Sequence, residues 1–365
     1  MQTQTKLSTF SPSSLSEYIT ATYWVEARDL EKAAHDIAFG QSIGNPSIRS
    51  KYDSKLTHHI PYYHRKGNKV IMHFPAINFP KKLHLNYLMS VLMGGQMDIS
   101  HIESCRLLDL DLGPFERAFP GPKYGCGGIK ARLGIKKRPL IGAIIKPKIG
   151  LKTKYLVDIC KAMADGGADF IKEDEILSNQ EFSPFKERVR AIAGVLKNYK
   201  TYYVPCVTSD WPLRDIFYAE SVGANACHIN VWSGLGMYHA VRKSSTRCAI
   251  FFQKSGDKVI TTGQFSVDFK VICKLVHLAG CDFGHVGMSG GYLSESDDEL
   301  RARIGALQTT IPSFSCGAMP HHVEELAEKF GSDIMITSGG YVNGHEKGVE
   351  YAVKEFRQRA DRLEA

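Results

Sequence analysis

The sequence predicts an α/β protein, a closed (β/α)8 barrel preceded by a smaller α+β domain. Three observations carry this. Eight apolar runs alternate with amphipathic helical stretches and recur about every 20 to 35 residues. The runs are continuously apolar rather than alternating, the pattern of strands covered on both faces in a parallel sheet. Four of the helical stretches end in glycine, a small residue and Asp or Asn before the chain turns apolar: Gly167-Ala168-Asp169-Phe170, Gly223-Ala224-Asn225-Ala226, Gly280-Cys281-Asp282-Phe283 and Gly331-Ser332-Asp333-Ile334. Each reads as a helix C-cap feeding a buried strand. A doubly wound open sheet is the alternative with the same alternation of elements.

At 365 residues the chain exceeds the size at which one hydrophobic core usually stops growing. Before about Gly125 the Gly-capped repeat is missing. Tyr18–Glu26 and Lys69–Phe74 read as strands, and Leu30–Phe39 and Leu85–Met93 as helices. Residues 1–125 are therefore expected to form the α+β domain and residues 126–365 the barrel. The stretch Glu116–Lys130, with Pro120, Pro122 and four glycines, suits a linker. The barrel strands fall near Leu140–Lys148, Phe170–Glu175, Tyr202–Val207, Ala226–Trp232, Ala249–Gln253, Phe283–Gly287, Ser313–Ala318 and Ile334–Gly340.

Apolar content of 43% and charged content of 23% exclude a disordered or fibrous chain. No apolar run approaches the roughly 18 residues of a membrane span, and Met1–Lys6 lacks a signal-peptide core, so a cytoplasmic protein without a membrane partner is expected. Nine cysteines without a CxxC pair read as reduced and mostly buried. The net charge of +8 comes from no dense Lys/Arg block and no aromatic-interleaved basic run. That argues against nucleic acid and leaves either a basic solvated surface or an anionic small substrate.

In such a barrel the active site lies at the C-terminal ends of the strands, so polar residues there carry functional weight. The first strand ends Lys146-Pro147-Lys148, two ammonium groups on one face of the strand. Their repulsion and partial burial are expected to lower a lysine pKa, giving a proton shuttle or an anion contact. Two lysines simply leaving the core for water are the plainer reading. The second strand ends Lys172-Glu173-Asp174-Glu175. Three acids and a lysine at the exit of an apolar strand are costly to desolvate unless they hold a cation, and oxygen ligands favour magnesium over zinc. The alternative is a solvated acidic loop.

The eighth strand closes in Thr337-Ser338-Gly339-Gly340 and the seventh in Cys316-Gly317-Ala318. Adjacent turns of this kind suit a phosphate, or are plain tight turns. His285 ends the sixth strand ahead of Met288-Ser289-Gly290-Gly291-Tyr292, a loop flexible enough to act as a lid. It reads as an anion contact or as a satisfied core histidine. On the fourth strand His228, Asn230 and Trp232 share a face.

The runs Leu140–Leu151, with Lys146-Pro147-Lys148-Ile149-Gly150, and Gly166-Gly167-Ala168-Asp169-Phe170-Ile171-Lys172-Glu173-Asp174-Glu175 resemble the two signature stretches of the RuBisCO large-chain superfamily. Weaker similarity covers Ala38–Asn45, Gly121–Gly125 and Ser338–His345. The resemblance implies that CO2 carbamylates Lys172, which with Asp174 and Glu175 holds one Mg2+ per site, while Lys146 and Lys148 serve proton transfers on an enediolate. It also implies substrate or phosphate contacts at Asn45, Gln96, Gln253, Lys254, His285, Gly317, Ser338, Gly339 and Gly340. It further implies a homodimer, or a higher oligomer of dimers, in which the N-terminal domain of one chain completes its partner's site.

The departures from the family pattern point away from CO2 fixation. Tyr292 stands where the carboxylases place the lysine at the tip of the sixth loop. Gln253-Lys254 replaces a His-Arg pair, Cys316-Gly317-Ala318 a Ser-Gly-Gly turn, and Gln96 an asparagine. One phosphate site is thus retained and the other altered, as suits a RuBisCO-like protein acting on a sugar phosphate. The stretches around Gln41–Asn45, Met93–Asp98 and Gln253–Asp257 look most like the group of decarboxylases or hydrolases of oxidised branched sugar-acid phosphates, with a decarboxylase of the 3-oxo-isoapionate 4-phosphate type expected first. An enolase or isomerase of the methionine-salvage type is the runner-up. A regulatory barrel without activity is the reading from another class, disfavoured by the convergent charge at Lys146, Lys148, Lys172, Asp174 and Glu175.

Overall fold

The structure of the protein is a computed structural model that describes residues 17–48 and 50–364. The chain divides into two compact units, one of residues up to Leu83 with Tyr87–Ala118 and Gln264–Ser266, the other of His84–Asn86, Phe119–Gly263 and Val267–Ala365.

The first unit is built on a sheet whose central strand is β1 (Tyr18–Ala27). It pairs antiparallel with β3 (Lys69–Pro75) and β4 (Ile102–Asp111), while β2 (Tyr62–Lys66) flanks β3. Ile19, Ala21, Tyr23 and Val25 alternate onto the buried face of β1, the period of two that a half-covered strand requires. The β2–β3 hairpin turns over Gly67 and Asn68. Gly67 has φ +58°, the left-handed conformation such a two-residue turn needs. The sheet ends in β10 (Phe265–Val267), next to β4, with the Gln264 carbonyl accepting from the Cys105 N–H at 2.9 Å. Sequence reading misses β2, β4 and β10. In β10 three residues are too few for a periodic signal, and their pairing is distant in sequence.

The second unit is the barrel. Its strands are β5 (Leu140–Ile144), β6 (Phe170–Lys172), β7 (Tyr202–Val204), β8 (Ala226–Asn230), β9 (Ala249–Gln253), β11 (Phe283–Gly287), β12 (Ile311–Phe314) and β13 (Met335–Ser338). They pair in parallel in the order β7-β6-β5-β13-β12-β11-β9-β8. A Cys206–His228 bridge joins the two ends, with the Val207 N–H donating to the His228 carbonyl and the His228 N–H to the Pro205 carbonyl, each at 3.1 Å. The (β/α)8 reading is thus the observed fold. β5, β6, β7, β8, β12 and β13 stop two to four residues short of the expected ends. Beyond β5, β6, β12 and β13 the chain leaves the ladder, and Lys146, Lys148, Asp174, Glu175, Gly317, Gly339 and Gly340 line the cavity there.

The Asp/Asn of the repeat has a structural use. Asp169 accepts from the Ile141 N–H at 2.9 Å, Asn225 from Tyr203 at 2.9 Å and Asp282 from Ile250 at 3.0 Å, each clamping an adjacent strand at its start. Arg138 and Arg242 neutralise the two buried acids at 2.6 and 2.8 Å. Asp333 instead pairs with Lys130 at 2.6 Å. Above this ring Phe170, Phe251, Phe283, Tyr202, Leu140, Ile311 and Met335 fill the interior, with the Phe170 and Phe283 ring centroids 5.0 Å apart. Removing one such ring costs about 3–5 kcal/mol. In the stretch read as a linker a helix runs from Gly125 to Leu133, and its Ile129 joins the same core cluster as the strand starts Leu140, Ala226 and Ala249. No helix is long and apolar enough to cross a membrane among the described residues. All nine cysteines are free, and burial pushes most of the thiols upward, as for Cys105 and Cys126 to about 12.

Candidate active site

A cavity of about 660 Å³ opens where the barrel strands end. Lys146, Lys148, Lys172, Asp174, Glu175, Gln253, Lys254, His285, Gly317, Ser338, Gly339 and Gly340 all line it. Strand geometry sorts the acidic run at the end of β6. Lys172 and Asp174 point into the cavity, while Glu173 between them turns the other way. There Glu173 is fully buried and paired to Arg188 at 2.7 and 3.2 Å, and it accepts from the Tyr203 hydroxyl at 2.7 Å and the Cys206 N–H at 2.9 Å. The expectation that all three acids hold a cation is therefore corrected. Glu173 is already neutralised, and two carboxylates remain.

Asp174 pairs with the Lys146 ammonium, and Glu175 with that of Lys148 at 3.3 Å. The expected mutual depression of the two lysines is not found at Lys148. Burial lowers its pKa, but Asp174 and Glu175 outweigh this and leave it raised. The depressed amine is Lys172. Complete burial brings it down to about 8 against the opposing pull of Glu175 and Asp174, and its Nζ donates to the Glu173 carbonyl at 2.9 Å. For Glu175 burial acts upward, yet its own backbone N–H and the Lys172 and Lys148 cations hold the carboxyl at about 2.

On the strand-eight side the Ser338 hydroxyl donates to the Ala318 carbonyl at 3.0 Å. A Cβ on Gly339 would lie 3.1 Å from Lys146 Cε, so the glycine lets the lysine pack against a bare backbone. Gly317 has φ +101°, and a Cβ there would meet the Tyr292 nitrogen at 2.9 Å. The loop Met288–Tyr292 thus rests on this turn, with the Tyr292 N–H donating to the Cys316 carbonyl at 3.2 Å. Tyr292 lines the cavity, although its side chain is 80% exposed.

His285 is buried edge-on against Phe251 at 4.8 Å, 3.3 Å from the Ser315 hydroxyl. Burial first, then Lys172 and Lys254, hold its pKa well below the usual histidine range, so the ring is neutral. Lys254 is buried and faces Asp257 at 3.8 Å and Glu295 at 3.6 Å. These two acids escaped sequence reading. Asp257 lies three residues from Lys254 in a loop, and Glu295 is about forty residues away in sequence with no local signal.

The fourth-strand residues stay outside the cavity lining. His228 is fully buried, Asn230 accepts from the Trp232 N–H at 3.1 Å, and Trp232 is exposed. Asn45, in the first unit, borders a small polar pocket with Lys32, Asp36 and His101. Gln96 falls in the 3-10 turn Gly95–Asp98, and its side chain lies outside the described residues.

Asp174 and Glu175 beside a depressed lysine at the second strand, flanked by Lys146, Lys148 and bare glycine turns, form the kind of charged cluster that barrels of this class carry at the C-terminal ends of their strands. The family model "Ribulose bisphosphate carboxylase large chain, catalytic domain" matches residues 126–304. The chain belongs to the RuBisCO large-chain superfamily. It is 26% identical to a ribulose bisphosphate carboxylase of Methanocaldococcus jannaschii, over 91% of this chain and 88% of that one. It is 27% identical to a 2,3-diketo-5-methylthiopentyl-1-phosphate enolase of Geobacillus thermodenitrificans, over 94% and 92%. It is also 25% identical to a 3-oxo-isoapionate-4-phosphate decarboxylase of Rhizobium etli, over 93% and 92%. The octameric ribulose-1,5-bisphosphate carboxylase/oxygenase of Pyrococcus horikoshii shares the fold, with a TM-score of 0.87 at 24% identity over 97% of this chain and 89% of that one.

Proposed function

We propose that the protein is a magnesium-dependent, enolate-forming lyase that decarboxylates a phosphorylated 3-oxo sugar acid of the 3-oxo-isoapionate 4-phosphate type, without net CO2 fixation. The observation that carries this reading is the convergence of Lys146, Lys148 and Lys172 with Asp174 and Glu175 in one cavity.

The donor set fits the metal. Asp174 and Glu175 are oxygen donors beside a fully buried amine that burial holds near neutrality. The uncharged amine would attack CO2 and release one N–H proton to solvent, and the resulting carbamate of Lys172 would supply a third anionic oxygen. Mg2+ held by Asp174, Glu175 and this carbamate would supply electrostatic stabilisation of negative charge developing on the ketone oxygen. The bond between the carboxylate carbon and the carbon next to the ketone breaks, its electron pair passes to the ketone oxygen, and CO2 leaves. Lys146 and Lys148, both cationic and paired to Asp174 and Glu175, hold the proton that returns to carbon. Ser338, Gly339, Gly340 and Gly317 take the phosphate on backbone N–H groups.

The methylthio end named in the Geobacillus relative's substrate would bury an apolar group against Gln253, Lys254 and Ser255, all cavity-lining and polar. That contrast favours the sugar acid. Tyr292 in the lid, in place of a lysine cation, gives no stabilisation to an added carboxyl group. By the family's architecture the protein works as a cytoplasmic homodimer or an oligomer of dimers, and a monodisperse active monomer would contradict that assembly. Release of ¹⁴CO2 from carboxyl-labelled 3-oxo-isoapionate 4-phosphate, dependent on Mg2+, is the expected result. Enolisation of a diketo 1-phosphate without CO2 release from the sugar acid would give the reaction to the enolases instead.

The Lys172 amine also sets a pH dependence. Below about 8 its ammonium form dominates and resists CO2, and above it the neutral amine dominates. At fixed dissolved CO2 and Mg2+, the ¹³C carbamate signal is expected to grow about fivefold from pH 7 to pH 8 and to vanish in Lys172→Ala. A signal that persists in Lys172→Ala would place the carbamate on another amine.

A further inference from the structure

We infer that the β9 side of the cavity is a neutral hydrogen-bonding subsite, in which Gln253 recognises a hydroxyl at the end of the substrate remote from its phosphate. The inference rests on the reading of the cavity as a sugar-phosphate site and names what the far end of that sugar must carry.

Around the barrel β9 stands three strands from β13, whose end supplies Ser338 and leads into the glycine turn. The two sides of the cavity are therefore free to hold different groups. The buried cation on the β9 side, Lys254, is already balanced. Its Nζ lies 3.8 Å from an Asp257 oxygen and 3.6 Å from a Glu295 oxygen. Glu295 is fixed in turn by the Met288 N–H at 2.9 Å and by Arg303 at 3.0 Å, so it does not swing aside. Burial alone would raise the Glu295 pKa, but these partners and Lys254 hold it down, so the carboxylate stays charged. A second phosphate would press its negative charge against two carboxylates, one of them held in place, in order to reach one ammonium. Lys258 also lines this side, but it is exposed and its charge is screened by water.

The polar groups beside Lys254 match a hydroxyl. Gln253 is 2% exposed, its Nε2 donates to the Ser255 hydroxyl oxygen at 2.6 Å, and its Oε1 has no hydrogen-bond partner among the described residues. A buried carbonyl oxygen left unpaired is unfavourable, so a ligand donor brought against it gains a bond without displacing one. Ser255 accepts from Gln253 and keeps its own proton for a ligand oxygen. The pair thus offers one acceptor and one donor, which a sugar hydroxyl answers on both counts. A phosphate dianion has no proton for Oε1, and a methyl or thioether has neither.

Three probes that differ only at the far end test this on the Mg2+- and bicarbonate-loaded protein. They are D-ribulose 1-phosphate, its 5-deoxy analogue and D-ribulose 1,5-bisphosphate, with binding measured by calorimetry. The wild type is expected to bind the monophosphate about tenfold more tightly than the deoxy analogue, and the bisphosphate no more tightly than the monophosphate. In Gln253→Leu the two monophosphates should bind alike, with the deoxy analogue within about twofold of its wild-type affinity, which also shows that the variant is folded. Asp257→Asn, by releasing one of the carboxylates facing Lys254, should raise affinity for the bisphosphate alone by about tenfold. A wild type that prefers the bisphosphate, or a hydroxyl preference that survives in Gln253→Leu, overturns the subsite while leaving the sugar-phosphate reading in place. Failure of all three probes to bind overturns that reading and the subsite with it.

Discussion

Replacing Lys172 by methionine is expected to reduce turnover of a phosphorylated 3-oxo acid by about 10³-fold or more while leaving the barrel folded. The side chain is 1% exposed and methionine fills nearly the same volume, so packing is kept. On the proposed mechanism, what is lost is the nitrogen that would carry a carbamate, and with it one of three anionic groups that would face Mg2+. Stability should not fall in proportion. The wild-type amine is itself held at about 8 by burial, so between that value and the ordinary lysine range the unfolded chain binds the proton that the folded chain has released. Wild-type stability therefore rises with pH across this window, and the methionine variant lacks that rise. Steady-state kinetics with a thermal melt checks both parts. Turnover within tenfold of wild type would remove Lys172 from the chemistry.

The second large effect concerns the fold behind the site. Arg188→Met is expected to destabilise the barrel by about 3–5 kcal/mol, because it leaves the Glu173 carboxylate charged, fully buried and without its counterion. Arg188 also donates to the carbonyls of Ser183 and Ser178, each at 2.6 Å, so the loop that carries Asp174 and Glu175 loses its anchor as well. The double variant Glu173→Gln with Arg188→Met should regain a large part of the loss, since the orphaned charge is gone. Urea unfolding of the three variants reads this directly. An Arg188→Met midpoint equal to wild type would show that the pair contributes nothing, whatever its geometry.

The barrel was legible in the sequence because burial on both faces leaves a run of apolar residues that needs no partner to be recognised. The Gly-capped repeat announced the strand starts, and its Asp and Asn proved to clamp neighbouring strands at Asp169, Asn225 and Asp282. The N-terminal sheet was legible only in β1 and β3. β2, with His64, Arg65 and Lys66 exposed, shows no apolar alternation, and β10 joins its sheet from more than a hundred residues away. At the site, the alternation of side chains along a strand announced that Lys172 and Asp174 share a face. It announced equally that Glu173 does not, a consequence that became plain only with Arg188 beside it. The balance of Lys254 by Asp257 and Glu295 was not readable, because a charge supplied across a loop leaves no spacing in the sequence. For the same reason Lys148 was expected to be depressed by its neighbour and is instead raised by the carboxylates across the cavity.

The central claim is that this cavity generates an enolate with metal-assisted lysine chemistry. Solvent exchange tests it most directly. The decarboxylated ketose phosphate is incubated in D2O with the Mg2+- and bicarbonate-loaded protein, and the proton on the carbon next to the ketone is followed by NMR. The account predicts deuterium incorporation that requires Mg2+, is lost in Lys172→Ala and falls sharply in Lys146→Ala or Lys148→Ala. No exchange above the buffer rate with metal present, or the same exchange in Lys172→Ala, would contradict it.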